Sequence, residues 1–400
     1  MGKKCEELIH VGGNMRNVGV VVRGIRIPII RRGATLEDIV IDSLLKAAKS
    51  ENFTFKDRDI LAITESVLAK AQGNYVHVDQ VAQDIESKFG SGATVGVVFP
   101  IFSRNRFSII LKGIAKGAGK IVLQLSYPND EVGNPLVNPD EIYFKNVNPF
   151  TDTFTEEQFR ETFGYENTLN PFTQVDIIEY YKEINPNIEI ILANNPTEIL
   201  KYTDNVLVAD IHTRVRDKEL IQAAGGKKVF TLSDVLSAPI GDSGFNEDYG
   251  LLGSNASTDD VLKLFPRDGQ IFVDKVQEKL LEITGKRIEV MIYGDGAFKD
   301  PVAGIWELAD PVVSPAYTFG LEGTPSEYKL KYLADSMGLE DTAIVEKIKE
   351  RKATQKEALG TTPRRITDLV GSLADLTSGS GDRGTPVVFV QGYFDNYSDD

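Results

Sequence analysis

"QVDIIEYYKEINPNIEIILANNPTEILKYTDNVLVADI", Gln174 to Ile211, decides the fold. "QVDIIEYYKEIN" reads as a helix and "IEIILANN" as a strand. "PTEILKYT" reads as a second helix and "NVLVADI" as a second strand. Downstream, "DKELIQAAGG" and "KKVFTL" repeat the pair. Helices alternating with short β-branched runs argue for βαβ units on a parallel sheet. The stretch "NPDEIYFKNVNPFTDTFTEEQF" is a loop-rich excursion leading into them. The expected class is α/β with mixed α+β character. The chain divides into residues 1–95, an inserted α/β region at 96–240, and residues 241–400.

The flanks carry a different texture. "VGVVVRGIRIPIIRRG" (18–33) reads as a strand, a turn and a second strand broken by Pro28. Thr35 then caps a helix, "TLEDIVIDSLLKAAKS". "DRDILAITESVLAKAQG" is a buried strand running into a polar segment, and "VDQVAQDIESKFG" is a helix closed by Gly90. Beyond residue 240, "FVDKVQEKLLEI" is a helix stopped at Gly285, "RIEVMIY" a strand and "TPVVFVQGY" a late strand. "SEYKLKYLADSMGLEDTAIVEKIKERKATQKEAL" reads as two helices with a break near Gly338.

The 400 residues carry a net charge of −15, with 42% hydrophobic and 26% charged residues. That acidity argues against nucleic acid as a partner, since phosphate-backbone binding needs clustered Lys and Arg. Cys5 is the single cysteine, so an intrachain disulfide and a multi-cysteine zinc site are excluded, and a cytoplasmic setting is expected. His10, His77 and His212 are scattered; any metal should therefore be oxygen-ligated, Mg²⁺ or Mn²⁺. No apolar run reaches membrane-spanning length, and the N-terminus has neither a signal core nor a myristoylation motif.

Several motifs bear chemistry. "GSGDRG" (Gly379 to Gly384) fits G-x-G-x-x-G but stands between a helix and a following strand, the reverse of a dinucleotide turn. "GIAKGAGK" (Gly113 to Lys120) lacks the residues of a P-loop and reads as a turn between helix and strand. The glycines of "GSGDRGTP" either form an anion-binding backbone nest or a plain surface loop. Arginines 16, 23, 26, 31, 32, 364 and 365 are either anion ligands or solvated charges. Acids Asp242, Glu247 and Asp248 lie in the irregular "GDSGFNEDYGLLGSNAS", and Asp295 and Asp300 follow the strand ending "MIYGDGAFKDP". Acids converging from separate loops would suit a cation bridging phosphates.

In that order, "IPIIRRGATLEDIV", "RDILAITESVLAKAQG", "EITGKR" and "GDRGTPVVFVQG" resemble the γ-glutamyl ligases of the deazaflavin coenzyme F-420. The resemblance covers roughly residues 20 to 90 and 245 to 395, which makes the flanks a ligase-like core and 96–240 its insertion. It implies a GTP-dependent enzyme with two divalent cations, Mn²⁺ or Mg²⁺, and a monovalent ion, K⁺. It implies activation of a small-molecule carboxylate as an acyl phosphate, attack by the amine of L-glutamate, and a homodimer. By resemblance Gly24, Ile25, Arg26, Ile27, Glu65, Ser66, Lys70 and Asn255 contact the nucleotide. Gly379, Gly381, Arg383 and Gly384 wrap its phosphates, and Asp248, Asp295 and Asp382 are the metal candidates.

The chain departs from the family at each metal position. Gly253 or Ser254 stands where the family has its first acid, Gly294 stands at the acid of its strand-end motif with Asp295 one residue late, and Ser380 stands at its terminal-loop Glu with Asp382 two residues on. The alternative to a ligase is accordingly a non-catalytic binding or regulatory protein on the same scaffold. An NAD-type oxidoreductase ranks last, for want of a glycine fingerprint.

Overall fold

The computed structural model describes residues 18–102, 106–169, 174–294, 297–299, 306–308, 314–325, 335, 343, 346–350, 364–378 and 381–395. In chain order come β1 (Val21–Ile25), α1 (Leu36–Glu51), β2 (Ile60–Thr64), α2 (Glu65–Gln72), β3 (Tyr75–His77) and α3 (Val78–Phe89). The middle supplies β4 (Thr94–Val98), α4 (Arg106–Gly117), β5 (Lys120–Leu125), α5 (Pro139–Phe144), β6 (Phe154–Thr155) and α6 (Glu156–Phe163). It continues with α7 (Ile177–Ile184), β7 (Ile188–Leu192), β8 (Asn205–Val208), α8 (Arg214–Ala223) and β9 (Lys228–Thr231). Last come β10 (Ser254–Thr258), β11 (Val261–Leu264), α9 (Gly269–Thr284) and β12 (Glu289–Tyr293). They are followed by β13 (Ala297–Lys299), β14 (Trp306–Leu308), β15 (Ala316–Tyr317), α10 (Ile366–Ser378) and β16 (Val387–Gln391).

The α/β class holds. The two flanks build one five-stranded sheet in the order β1-β16-β2-β12-β15. Period-two alternation gives this sheet two apolar faces. Leu61, Ile63, Val290, Ile292, Val387 and Phe389 face α1 and α9. Ile60, Ala62, Met291, Tyr293, Val388 and Val390 face α10. The C-terminal strand β16 lies between β1 and β2, antiparallel to both, so neither flank completes the sheet without the other.

The middle forms a six-stranded sheet, β6-β7-β5-β4-β8-β9, parallel except for the edge strand β6. Its strands are apolar on both faces, as a doubly covered parallel sheet requires. Val95, Val97, Ile121 and Leu123 pack beneath α4 and α7, while Val98, Val122, Val206 and Val208 pack toward Ile199 and Ile221 on the other side. The excursion before residue 174 contributes α5, α6 and the antiparallel edge strand. Helix α3 precedes residue 96 yet packs on α4. Glycines make that approach possible: a Cβ on Gly113 would lie 2.7 Å from Val81 Cβ, and one on Gly117 would lie 2.4 Å from Ala82 O. A small antiparallel sheet, β10-β11-β3, bridges the two units.

Four local readings differ from expectation. No second strand follows β1: Pro28 lacks an N–H for a ladder, and Ile29 is 84% exposed although Ile30 is buried. The polar segment after β2 is helix α2, opened by Glu65 and closed by Gly73 in a left-handed conformation. "PTEILK" winds as a 3₁₀ segment, Pro196–Lys201, capped by the Asn195 side chain on Thr197 N–H. The end of the irregular acidic stretch, from Ser254, is strand β10. The two helices read at 326–359 lie largely outside the described residues.

Among the described residues no helix is long and apolar enough to cross a membrane.

Candidate active site

Strands β2 and β12 are parallel and in register to Thr64 and Tyr293, so their carboxyl ends share one edge of the five-stranded sheet. Because β16 runs antiparallel, its first residues lie at that same edge, opposite Ile63 and Ile25. The topology alone therefore gathers four loops: the end of β1, the start of α2, the exit of β12 and the entry to β16. Backbone bonds lock them. Thr64 N–H donates to Pro386 O at 3.0 Å, and Ile27 N–H donates to Gly384 O at 3.3 Å. Tyr293 donates its hydroxyl to Pro386 O at 3.4 Å. Gly24 lies so close to the entry loop that a Cβ there would sit 3.0 Å from Thr385 Cβ.

Most of the nucleotide candidates meet at this edge. Gly24 to Ile27 lie against Gly384 and Thr385; Gly381 to Arg383 form a 3₁₀ turn just before them. Glu65 and Ser66 open α2, and Lys70 follows Ser66 by four residues on the same helix face. Gly379, Asp295 and Asp300 lie outside the described residues.

Asn255 arrives from the small sheet. It stands opposite Lys263, which stands opposite Tyr75, so the three side chains form one row across β10, β11 and β3. Lys263 Nζ donates to Ser66 Oγ at 2.5 Å and lies 3.3 Å from Glu65 Oε1. Burial, with the Glu65 charge adding to it, pushes the Tyr75 hydroxyl above its usual range. Sequence reasoning missed Lys263 and Tyr75. The "VLKLF" alternation shows only that Lys263 faces away from Leu262 and Leu264, as any surface lysine on a strand would.

The described segments around this edge carry exposed cations. Arg26, Arg31, Arg32, Lys70 and Arg383 are exposed, and none has an acidic partner among the described residues. Arg32 lies over Gly73, where a Cβ would come within 2.6 Å of its Nε. The loop carrying it is pinned to α2 by Gly33 N–H donating to Ala71 O at 2.7 Å. Arg23 is engaged elsewhere, donating to Gln391 at 2.7 Å and lying over the Phe53 ring.

The acid candidates are less gathered. Asp248 is exposed, its N–H donating to Asn246 Oδ1 at 3.0 Å. Asn246 in turn ties that loop to Pro266 O at 3.0 Å. Asp242 accepts from Gln80 of α3 at 2.9 Å, and Asp382 is exposed in its turn. Neither position read as the first acid's place has room for a carboxylate. A Cβ on Gly253 would meet the Phe265 ring at 2.7 Å, and Ser254 is buried with its hydroxyl donating to Leu251 O. Among the described residues no three His, Cys, Asp or Glu side chains converge to hold a metal. His77 has a structural post: its imidazole accepts from Asp79 N–H and caps α3.

No curated protein matches the chain. A family model described as F420-0:Gamma-glutamyl ligase matches residues 24–392, an unbroken span that includes the six-stranded sheet.

Proposed function

The chain belongs to the F420-0:γ-glutamyl ligase family, a ligase family, and we propose that it is a GTP-dependent acid–amino-acid ligase. On this reading a carboxylate oxygen of the substrate attacks the γ-phosphorus of GTP, and the β–γ bridge breaks to release GDP. The amine of L-glutamate then attacks the acyl carbon, phosphate departs with its bonding electrons, and the amine proton passes to solvent or a base. Phosphoryl transfer depends chiefly on positioning and charge neutralisation. This chain's residues supply both: the rigid backbone of the Gly24–Ile27 and Gly384–Pro386 segments for position, and Lys70, Lys263 and the arginines for charge. A divalent cation, Mn²⁺ or Mg²⁺, K⁺ and a homodimer belong to the reading, although the described acids do not assemble a metal cluster.

One observation carries it. The topology brings Gly24–Ile27, the start of α2 and Gly384–Pro386 to a single sheet edge, and these segments carry Arg26, Lys70 and Arg383, exposed and without an acidic partner among the described residues, in a protein of net charge −15. The test is a melting-temperature titration of the full chain with GTP or ATP, each with MnCl₂ or MgCl₂. Phosphate release is then measured with a carboxylate acceptor and L-glutamate. A nucleotide-dependent rise in melting temperature and acceptor-dependent phosphate release are expected. No shift with any combination sinks the reading; a shift without turnover across acceptors favours the non-catalytic alternative.

A further inference from the structure

The pair at the start of α2 is built in an unusual way for a surface enzyme edge. The side chains of Lys263 and Glu65 are only 13% and 4% exposed, while the other cations at the edge stand in solvent. Burying an ammonium and a carboxylate costs desolvation that their attraction only partly returns, so stability alone gives little reason for the pair. Lys263 is also fixed in direction. It projects from the central strand of the small sheet, in the row with Asn255 and Tyr75, onto the Ser66 hydroxyl. There it adds positive charge to the first turn of α2, whose backbone N–H groups already favour an anion.

We infer that Lys263 is a phosphate-binding residue of the nucleotide site and that Glu65 is the positioning residue that aims it. The inference rests on the ligase reading above and deepens it. A free carboxylate at position 65 would repel the triphosphate. Held by an ammonium, it becomes the anchor that keeps the lysine stem in one rotamer and directs its remaining donors past Ser66. Lys70, one helical turn further on the face of Ser66, then supplies a second, mobile cation to the same phosphates. The small sheet thereby does more than bridge two units: it presents Asn255 and Lys263 to the nucleotide together.

The experiment titrates the full chain with GTP, and separately with guanosine, in buffer containing MnCl₂. The proteins are the parent, Lys263→Met, Lys263→Arg, Glu65→Gln and the double variant Glu65→Gln/Lys263→Met. The double variant leaves no unpaired buried charge, so it keeps its fold, which its melting temperature without ligand checks. Loss of a charge-assisted phosphate contact should weaken GTP binding about 10- to 100-fold in both Met variants. Guanosine affinity should not change, Lys263→Arg should recover most of the GTP affinity, and Glu65→Gln should fall between. A folded double variant that binds GTP as tightly as the parent overturns the inference and leaves the ligase reading standing. So does an equal loss for GTP and guanosine, the mark of a structural role. A parent that binds no nucleotide overturns the ligase reading itself.

Discussion

Asp210, two residues past the end of β8, should be a site where removing a charge stabilises the protein. The residue is fully buried. Thr213 donates its hydroxyl to Oδ2 at 2.8 Å, and Oδ1 has no hydrogen-bond partner among the described residues. Burial pushes its carboxyl up to about 7 from the ordinary 3.8, and the charges of Glu131 and Asp217 act in the same direction. Below pH 4 the group is neutral folded or unfolded and costs nothing. Between 4 and 7 the unfolded chain gives up the proton and the folded chain keeps it, so stability falls as pH rises and levels off above 7. At about 1.4 kcal/mol per pH unit over roughly three units, the loss reaches about 4 kcal/mol. Asn at this position is nearly isosteric and neutral throughout. Asp210→Asn should match the parent at pH 4 and exceed its unfolding free energy by up to ~4 kcal/mol at pH 8. Urea unfolding of both proteins across that range measures the difference. Asp130, whose carboxyl burial raises to about 6, titrates equally in both and cancels. Parallel curves for parent and variant would refute the reasoning.

Two further outcomes test the packing. Asp176→Ala should cost about 2–4 kcal/mol in urea unfolding, because it removes a carboxylate hydrogen-bonded to the buried Arg160, leaving Glu179 at 3.4 Å and Glu156 at 3.8 Å, and strips the cap from α7; a loss under about 1 kcal/mol would mean that solvent reaches Arg160. Gly96→Val should lower the urea midpoint by the equivalent of about 1–3 kcal/mol, since a Cβ there would meet Ile199 Cγ1 at 2.3 Å. An unchanged midpoint would show that Ile199 moves aside freely.

Local chemistry made much of this legible beforehand. The strands of both sheets stand out as β-branched runs, and α3 and α9 end at Gly90 and Gly285 as their spacing implies. The readings failed where local preference was ambiguous. "ESVLAKAQ" is short and polar, and only docking on β2 and the small sheet makes it a helix that matters. "IPIIRRG" has strand-like residues but pairs with no strand among the described residues.

What the polypeptide determines by itself is the order and kind of its elements, because periodicity, caps and turn residues act over a few positions. What only the tertiary structure decides is who meets whom. Glu65 and Lys263 are separated by 198 residues, and they touch because β11 pairs with β3 and α2 packs beneath them. The edge that joins Gly24–Ile27, the start of α2 and Gly384–Pro386 exists because β16, from the far end of the chain, inserts antiparallel between β1 and β2. Strand pairing of that range is set by the summed burial of whole faces, a quantity no short stretch of residues contains.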